Sequence, residues 1–245
     1  MLATAVFVLA ATRPAPAFDH GVWDTLLHRY VDDAGRVAYR DLAARDGTTL
    51  DGYLGALAEA HPEGWTRDEQ VAFWVNAYNA VIVRAVLDGH TAEGFFARRR
   101  LFTGYSRPVA GKPRTPDDIE KNVLHGFGEA RLHFALVCAS TSCPRLRRRA
   151  WVAERLDADL EEAARQFLAD RAKNQIDVGA PAVHLSMIFD WYEDDFDGSA
   201  EAVRAFVARY VDPARRRYLE DAHPDVEYLS YDWTLNAQPG QRPES

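Results

Sequence analysis

The chain has 245 residues and a mass of 27.5 kDa, enough for one large domain or two small ones. Hydrophobic residues make up 47% and charged residues 27%, a globular composition that excludes a disordered chain. The formal net charge of −8 and pI of about 5.5 argue against a nucleic-acid surface, so no nucleic-acid partner is expected.

Residues 1–17, "MLATAVFVLAATRPAPA", carry an apolar run over 2–11 and end on Ala15-Pro16-Ala17, the small-x-small form of a cleavage site. A basic n-region is missing. The run is too short to span a bilayer, and no stable membrane span is expected. The reading is a cleaved signal peptide over 1–17 and a periplasmic or secreted protein beginning near Phe18; a frayed apolar N-terminus is the alternative. In an oxidising compartment a disulfide between the only two cysteines, Cys138 and Cys143, becomes an option.

In chain order, "GRVAY" (35–39) reads as a short strand behind a glycine turn. Leu50, Tyr53, Leu54 and Leu57 recur at helical spacing and stop before His61-Pro62. "EQVAFWVNAYNAVIVRAVL" (69–87) is apolar on nearly every side, which predicts a buried central helix. "YSRPVAGKPRT" predicts a hairpin turning at Gly111, and "TPDDIEKNVL" a helix start with Thr115 as N-cap and Pro116 at N1. "LHFALVCA" has the length and apolarity of a buried strand. A surface helix with Leu156, Leu160, Ala164, Phe167 and Leu168 inward comes next, then a strand at "AVHL". Ser186 caps a helical segment through "MIFDWYEDDF", a further helix is capped within 197–199, and a last strand lies at "VEYLSY". Helices outnumber strands without alternating with them, which predicts a single α+β domain over 18–237 and a flexible tail over 238–245.

Three constellations bear on chemistry. Asn76 and Asn79 lie three apart on the buried helix. Their amides either satisfy backbone of neighbouring loops or line a pocket and orient a ligand. Cys143 precedes Pro144, which fits the first position of a helical turn, and Arg145 with Arg147, Arg148 and Arg149 adds positive charge. That setting lowers a thiol pKa, with His125 and His133 as candidate bases; a Cys138–Cys143 disulfide and inert packing are the competing readings. "FDWYEDDFDG" (189–198) is acidic but does not have the spacing of a calcium loop, and pairing with the arginine cluster accounts for it more simply. With no H-E-x-x-H, C-x-x-C, P-loop, G-x-S-x-G or G-x-G-x-x-G, no metal and no cofactor are expected.

"AFWVNAYNAVIVRAVL", "GKPRTPDDIEKNVL", "HFALVCASTSCPRL", "LSMIFDWYEDDF" and "YDWTLN" together resemble, in order and spacing, the domain of unknown function 547 family, over about residues 20–236. The resemblance marks Phe73, Trp74, Asn76, Tyr78 and Asn79, then Ile119, Glu120, Phe134, Cys138, Ser142, Cys143 and Pro144. Ser186, Phe189, Trp191, Asp195, Phe196, Tyr231, Asp232, Trp233 and Asn236 complete the set. Bacterial proteins of this kind usually carry export signals, and the family implies no established activity. Where it commonly reads Ile-Glu-His, this chain has Ile119-Glu120-Lys121, and its plant members tend to have serine at the position of Cys143.

Two functions are therefore expected. One is a cell-envelope module binding a small molecule or peptide, its ligand residues among Asn76, Asn79, Arg145, Trp191, Asp195, Asp232 and Trp233. The other is a thiol-dependent hydrolase or acyltransferase with Cys143 as nucleophile and His133, His125 and Glu120 as candidate partners.

Overall fold

Thr66 opens the central element of the fold. Its hydroxyl accepts from the Glu69 N–H while the Glu69 carboxylate takes the Thr66 N–H at 2.8 Å, a reciprocal cap. Helix α3, Arg67–Leu87, follows, and every residue from Val71 to Val86 except Arg84 is buried. By length and composition alone this helix could cross a membrane, yet 83% of its most apolar window is covered by protein. The computed structural model describes residues 18–243; the expected signal peptide lies outside the described residues.

Among the described residues there are nine α-helices and four strands in two small sheets, the α+β architecture expected. Helices α1 (Gly21–Tyr30) and α2 (Tyr39–Ala58) pack together, and α2 lies against α3 with Leu50, Tyr53, Leu54 and Leu57 all buried. Between α1 and α2 the expected strand reduces to bridges from Val37 to Val31 and Ala237, because Tyr39 already starts α2. Gly35 (φ 78°) cannot be replaced there, since a Cβ would meet the Arg145 Cβ at 2.7 Å.

A short helix α4 (Phe95–Arg99) and a π-helical turn (Arg100–Gly104) lead into the hairpin β1 (Arg107–Val109) and β2 (Lys112–Arg114). Ala110 and Gly111, with φ of 50° and 71°, make the tight turn the sequence indicates. Thr115 caps α5 (Pro116–Ile119) through the Asp118 N–H at 3.1 Å, and a π-helical turn (Glu120–Leu124) extends it.

The apolar run 132–139 is buried except at the half-buried Cys138, but it is not a strand. It leaves a 3-10 turn (Ala130–Phe134) and continues irregularly, its backbone satisfied by side chains rather than a ladder. A short apolar run is equally compatible with strand and with buried coil, and among the described residues no strand pairs with it. Pro144 likewise begins an irregular segment, so the helical turn expected after Cys143 does not form.

Helix α6 (Leu156–Ala169) turns its predicted stripe inward. Strand β3 (Ala182–Ser186) pairs in parallel with β4 (Asp225–Leu229), from Ala182↔Asp225 to Ser186↔Leu229. Helices α7 (Ile188–Trp191), α8 (Ala200–Ala208, capped by Ser199) and α9 (Pro213–Ala222) make the crossover a parallel pair requires. Within the tail, the Gln238 amide donates to the carbonyls of Tyr30 and Arg36, and the Gln241 carbonyl accepts from the Arg40 N–H.

Candidate functional site

Six stretches of chain meet around a cavity of about 410 Å³ beside the C-terminal half of α3. Tyr78 comes from α3; Phe95, Arg98, Arg99 and Phe102 come from α4 and the turn after it. Glu120 and Lys121 start the π-helical turn after α5, His133 and the Cys138–Cys143 pair come from the irregular segment, and Trp191, Tyr192, Tyr231 and Trp233 close the far side. Its lining is mostly aromatic and apolar, the usual character of a ligand pocket. Trp191 and Trp233 stack with ring centres 5.5 Å apart, Tyr231 leans on both, and the Arg98 guanidinium sits 4.5 Å above the Trp233 ring.

The two sulfurs are bonded, with S–S 2.17 Å and Cα atoms 6.2 Å apart, so among the described residues no cysteine is free. In this form Cys143 carries no thiolate and cannot act as a nucleophile. The Tyr231 hydroxyl covers the bridge, 3.3 Å from the Cys143 sulfur and 3.4 Å from that of Cys138. The Cys138 N–H points at the Cys143 sulfur at 2.9 Å.

Glu120 is buried, and burial raises its carboxyl pKa while the Tyr192 hydroxyl, donating at 2.5 Å, opposes the rise. Burial together with the Glu120 carboxylate pushes Tyr78 and Tyr192 up. His133 lies stacked on the Tyr192 ring at 4.0 Å with its Nε2 2.7 Å from Asp195 Oδ2; burial lowers its pKa against that carboxylate. His125 Nε2 stands 3.5 Å from the same Asp195 oxygen.

Of the residues singled out from sequence, Glu120, His133, Cys143, Trp191 and Trp233 line this cavity. His125 and Asp195 adjoin it around a second, smaller cavity of about 210 Å³ that shares His133 and Leu136 as wall. Asn76 and Asn79 do not line this cavity; their amides satisfy backbone, the first of the two readings the sequence left open. Asn76 brackets Trp151, giving its Nδ2 to the carbonyl at 2.8 Å and taking the N–H at 3.0 Å. Asn79 does the same across Ala135 O and Val137 N at 3.0 and 2.9 Å.

Arg145 also lies outside, 3.6 Å from Asp170. Arg147 and Arg149 pair with Asp159 and Glu162 of α6, and Arg148 with Asp33, so the cluster does not answer the acidic stretch 189–198. Asp232 holds a turn: its N–H goes to Ser142 Oγ at 2.9 Å and its carboxylate accepts from Thr234 N–H. Sequence reasoning missed Phe95, Arg98 and Phe102. The signal was present in "GFFARRR", where Phe95 and Phe96 stand 67% and 82% exposed beside three arginines.

These features describe an α+β domain built around a buried helix, with an aromatic, disulfide-floored cavity. Residues 62–168 match the model of the family described as protein of unknown function, DUF547. The match takes in the first three motifs of the resemblance, including α3 and both cysteines, and leaves "LSMIFDWYEDDF" and "YDWTLN" beyond it. No curated protein and no solved structure matches the chain.

Proposed function

We propose that the protein binds, in the 410 Å³ cavity, a ligand with an aromatic or aliphatic body and a negatively charged group. The observation that carries this reading is the wall itself: Phe95, Phe102, Trp191, Tyr192, Tyr231 and Trp233 surround one space, with Trp191 44% exposed at its edge. Arg98 and Arg99 stand on the same wall and have no acidic partner among the described residues, which supports an anionic group on the ligand. The thiol hydrolase alternative requires Cys143 unbonded, and the bonded pair therefore favours binding.

The signal-peptide form of residues 1–17 and the presence of a disulfide support export, with the ligand met in the cell envelope.

1-Anilinonaphthalene-8-sulfonate, an apolar aromatic anion, is a suitable probe. Native protein should bind it saturably at one site. Trp191→Ala and Trp233→Ala should each weaken binding about tenfold, the loss of about 1.4 kcal/mol of stacking. Arg98→Gln should reduce the salt dependence. Non-saturable binding, or binding that ignores both tryptophan substitutions while the melting transition stays cooperative, would overturn the proposal.

A further inference from the structure

Behind the cavity wall, two neighbouring short turns and a third about sixty residues later bring two imidazoles and a carboxylate together. His125 opens the 3-10 turn His125–Phe127, His133 lies in the 3-10 turn Ala130–Phe134, and Asp195 in the 3-10 turn Glu193–Phe196. One donor atom from each falls within 4.8 Å of the other two. Asp195 Oδ2 stands between the rings, 2.7 Å from His133 Nε2 and 3.5 Å from His125 Nε2. The rings are nearly perpendicular, at 85° with centres 5.7 Å apart, so they approach that oxygen as two edges of a cage rather than as a stack.

We propose that His125, His133 and Asp195 form a binding site for a divalent transition metal, zinc(II) in the first instance. Zinc bonds of about 2.0–2.2 Å in tetrahedral geometry set donors about 3.3–3.5 Å apart. The His125–Asp195 separation already has that value, and the His133–Asp195 contact needs to open by less than an ångström. Imidazole nitrogen with one carboxylate selects zinc and its neighbours over calcium and magnesium, which take oxygen cages.

Three protein donors leave a fourth position, the pattern of a zinc site that holds water or an exogenous ligand. All three donor residues line the 210 Å³ cavity, whose wall Asp194 shares. The support behind the donors is specific. His133 is buried and stacked on Tyr192, which sets its ring plane. Asp195 is held by its N–H to the Tyr192 carbonyl at 2.9 Å, in a turn closed by Asp197 at φ 67°. Tyr192 thus braces two of the three donors. The site does not depend on the ligand reading of the larger cavity, although His133 belongs to both walls.

The test uses the full chain, stripped with a chelator and titrated with zinc(II) against a chromophoric competitor, with cobalt(II) as a spectroscopic substitute. Wild type should take up one equivalent, and the cobalt form should show the intense visible bands of a tetrahedral site with nitrogen and oxygen donors. His125→Ala and Asp195→Asn should each lower zinc affinity at least tenfold, and both apo variants should keep the wild-type far-ultraviolet spectrum. His125→Gln serves if the alanine variant fails to fold. Absence of a stoichiometric zinc site in wild type overturns the proposal whatever the variants do. Uptake unchanged in the folded His125 and Asp195 variants overturns it too, by placing the metal elsewhere.

Discussion

Replacing Asn79 with leucine asks how the buried segment 132–139 is held. Asn79 is 2% exposed, and its amide makes two bonds to backbone, to Ala135 O at 3.0 Å and from Val137 N at 2.9 Å. Leucine keeps the branched heavy-atom outline of asparagine and is bulkier, so no cavity opens beside α3 and some crowding is added. What remains are a carbonyl and an N–H buried without partners, each costing about 1–3 kcal/mol. The added apolar contact offsets part of this, leaving a net loss of about 2–4 kcal/mol. In a domain of this size that lowers the melting midpoint by roughly 5–15 °C. Calorimetry or denaturant melts with an unchanged m-value measure it, and amide exchange at Val137 should accelerate alongside. Asn76→Leu should behave alike, because it strands both backbone groups of Trp151. A loss below about 1 kcal/mol in both variants would refute the reasoning and return the amides to a ligand-facing role.

Native protein should show no free thiol to iodoacetamide and two after reduction, and reduction should cost about 2 kcal/mol, the chain-entropy value for so short a loop; labelling before reduction would contradict the bridge. His20, buried with its Nδ1 2.7 Å from the Tyr53 hydroxyl, has a pKa lowered to about 4 by desolvation. The unfolded chain, with His20 near its ordinary value of 6.5, then binds more protons than the native state below that pH, so stability falls as pH drops from about 6.5 to about 4, by up to about 3 kcal/mol. His20→Gln should flatten that part of the profile, and an equally steep variant profile would assign the acid loss to other groups. Sequencing the native N-terminus should find Phe18 or a neighbouring residue; retained Met1 would remove the case for export.

The elements legible in the sequence were those whose signal is local. All-round apolarity announces α3; the turn at Gly111 announces the hairpin; Thr115-Pro116 and the 197–199 stretch announce two helix starts. The run 132–139 was misread because its apolarity states burial and says nothing about pairing, and the partner of its backbone is an asparagine over fifty residues earlier. Helices α1 and α9 escaped notice: each buries only a few residues, Trp23, Leu26, Leu27 and Tyr30 in one and Tyr218 and Leu219 in the other.

By itself the sequence determined which side chains are driven out of water and where the backbone must turn, and hence a helix-rich α+β domain on a buried central helix. Those are properties of hydrophobic periodicity and of φ preference, and both act within a few residues. Only the tertiary structure decided which polar groups meet. It spent Asn76 and Asn79 on backbone, gave the arginines of 145–149 to Asp33, Asp159, Glu162 and Asp170, and joined Cys138 to Cys143 beneath Tyr231. It also set Asp195 between His125 and His133. Hydrogen bonds and ion pairs act over about 3–4 Å and are directional, so their partners follow from the packing of the apolar core and leave no periodic trace in the chain.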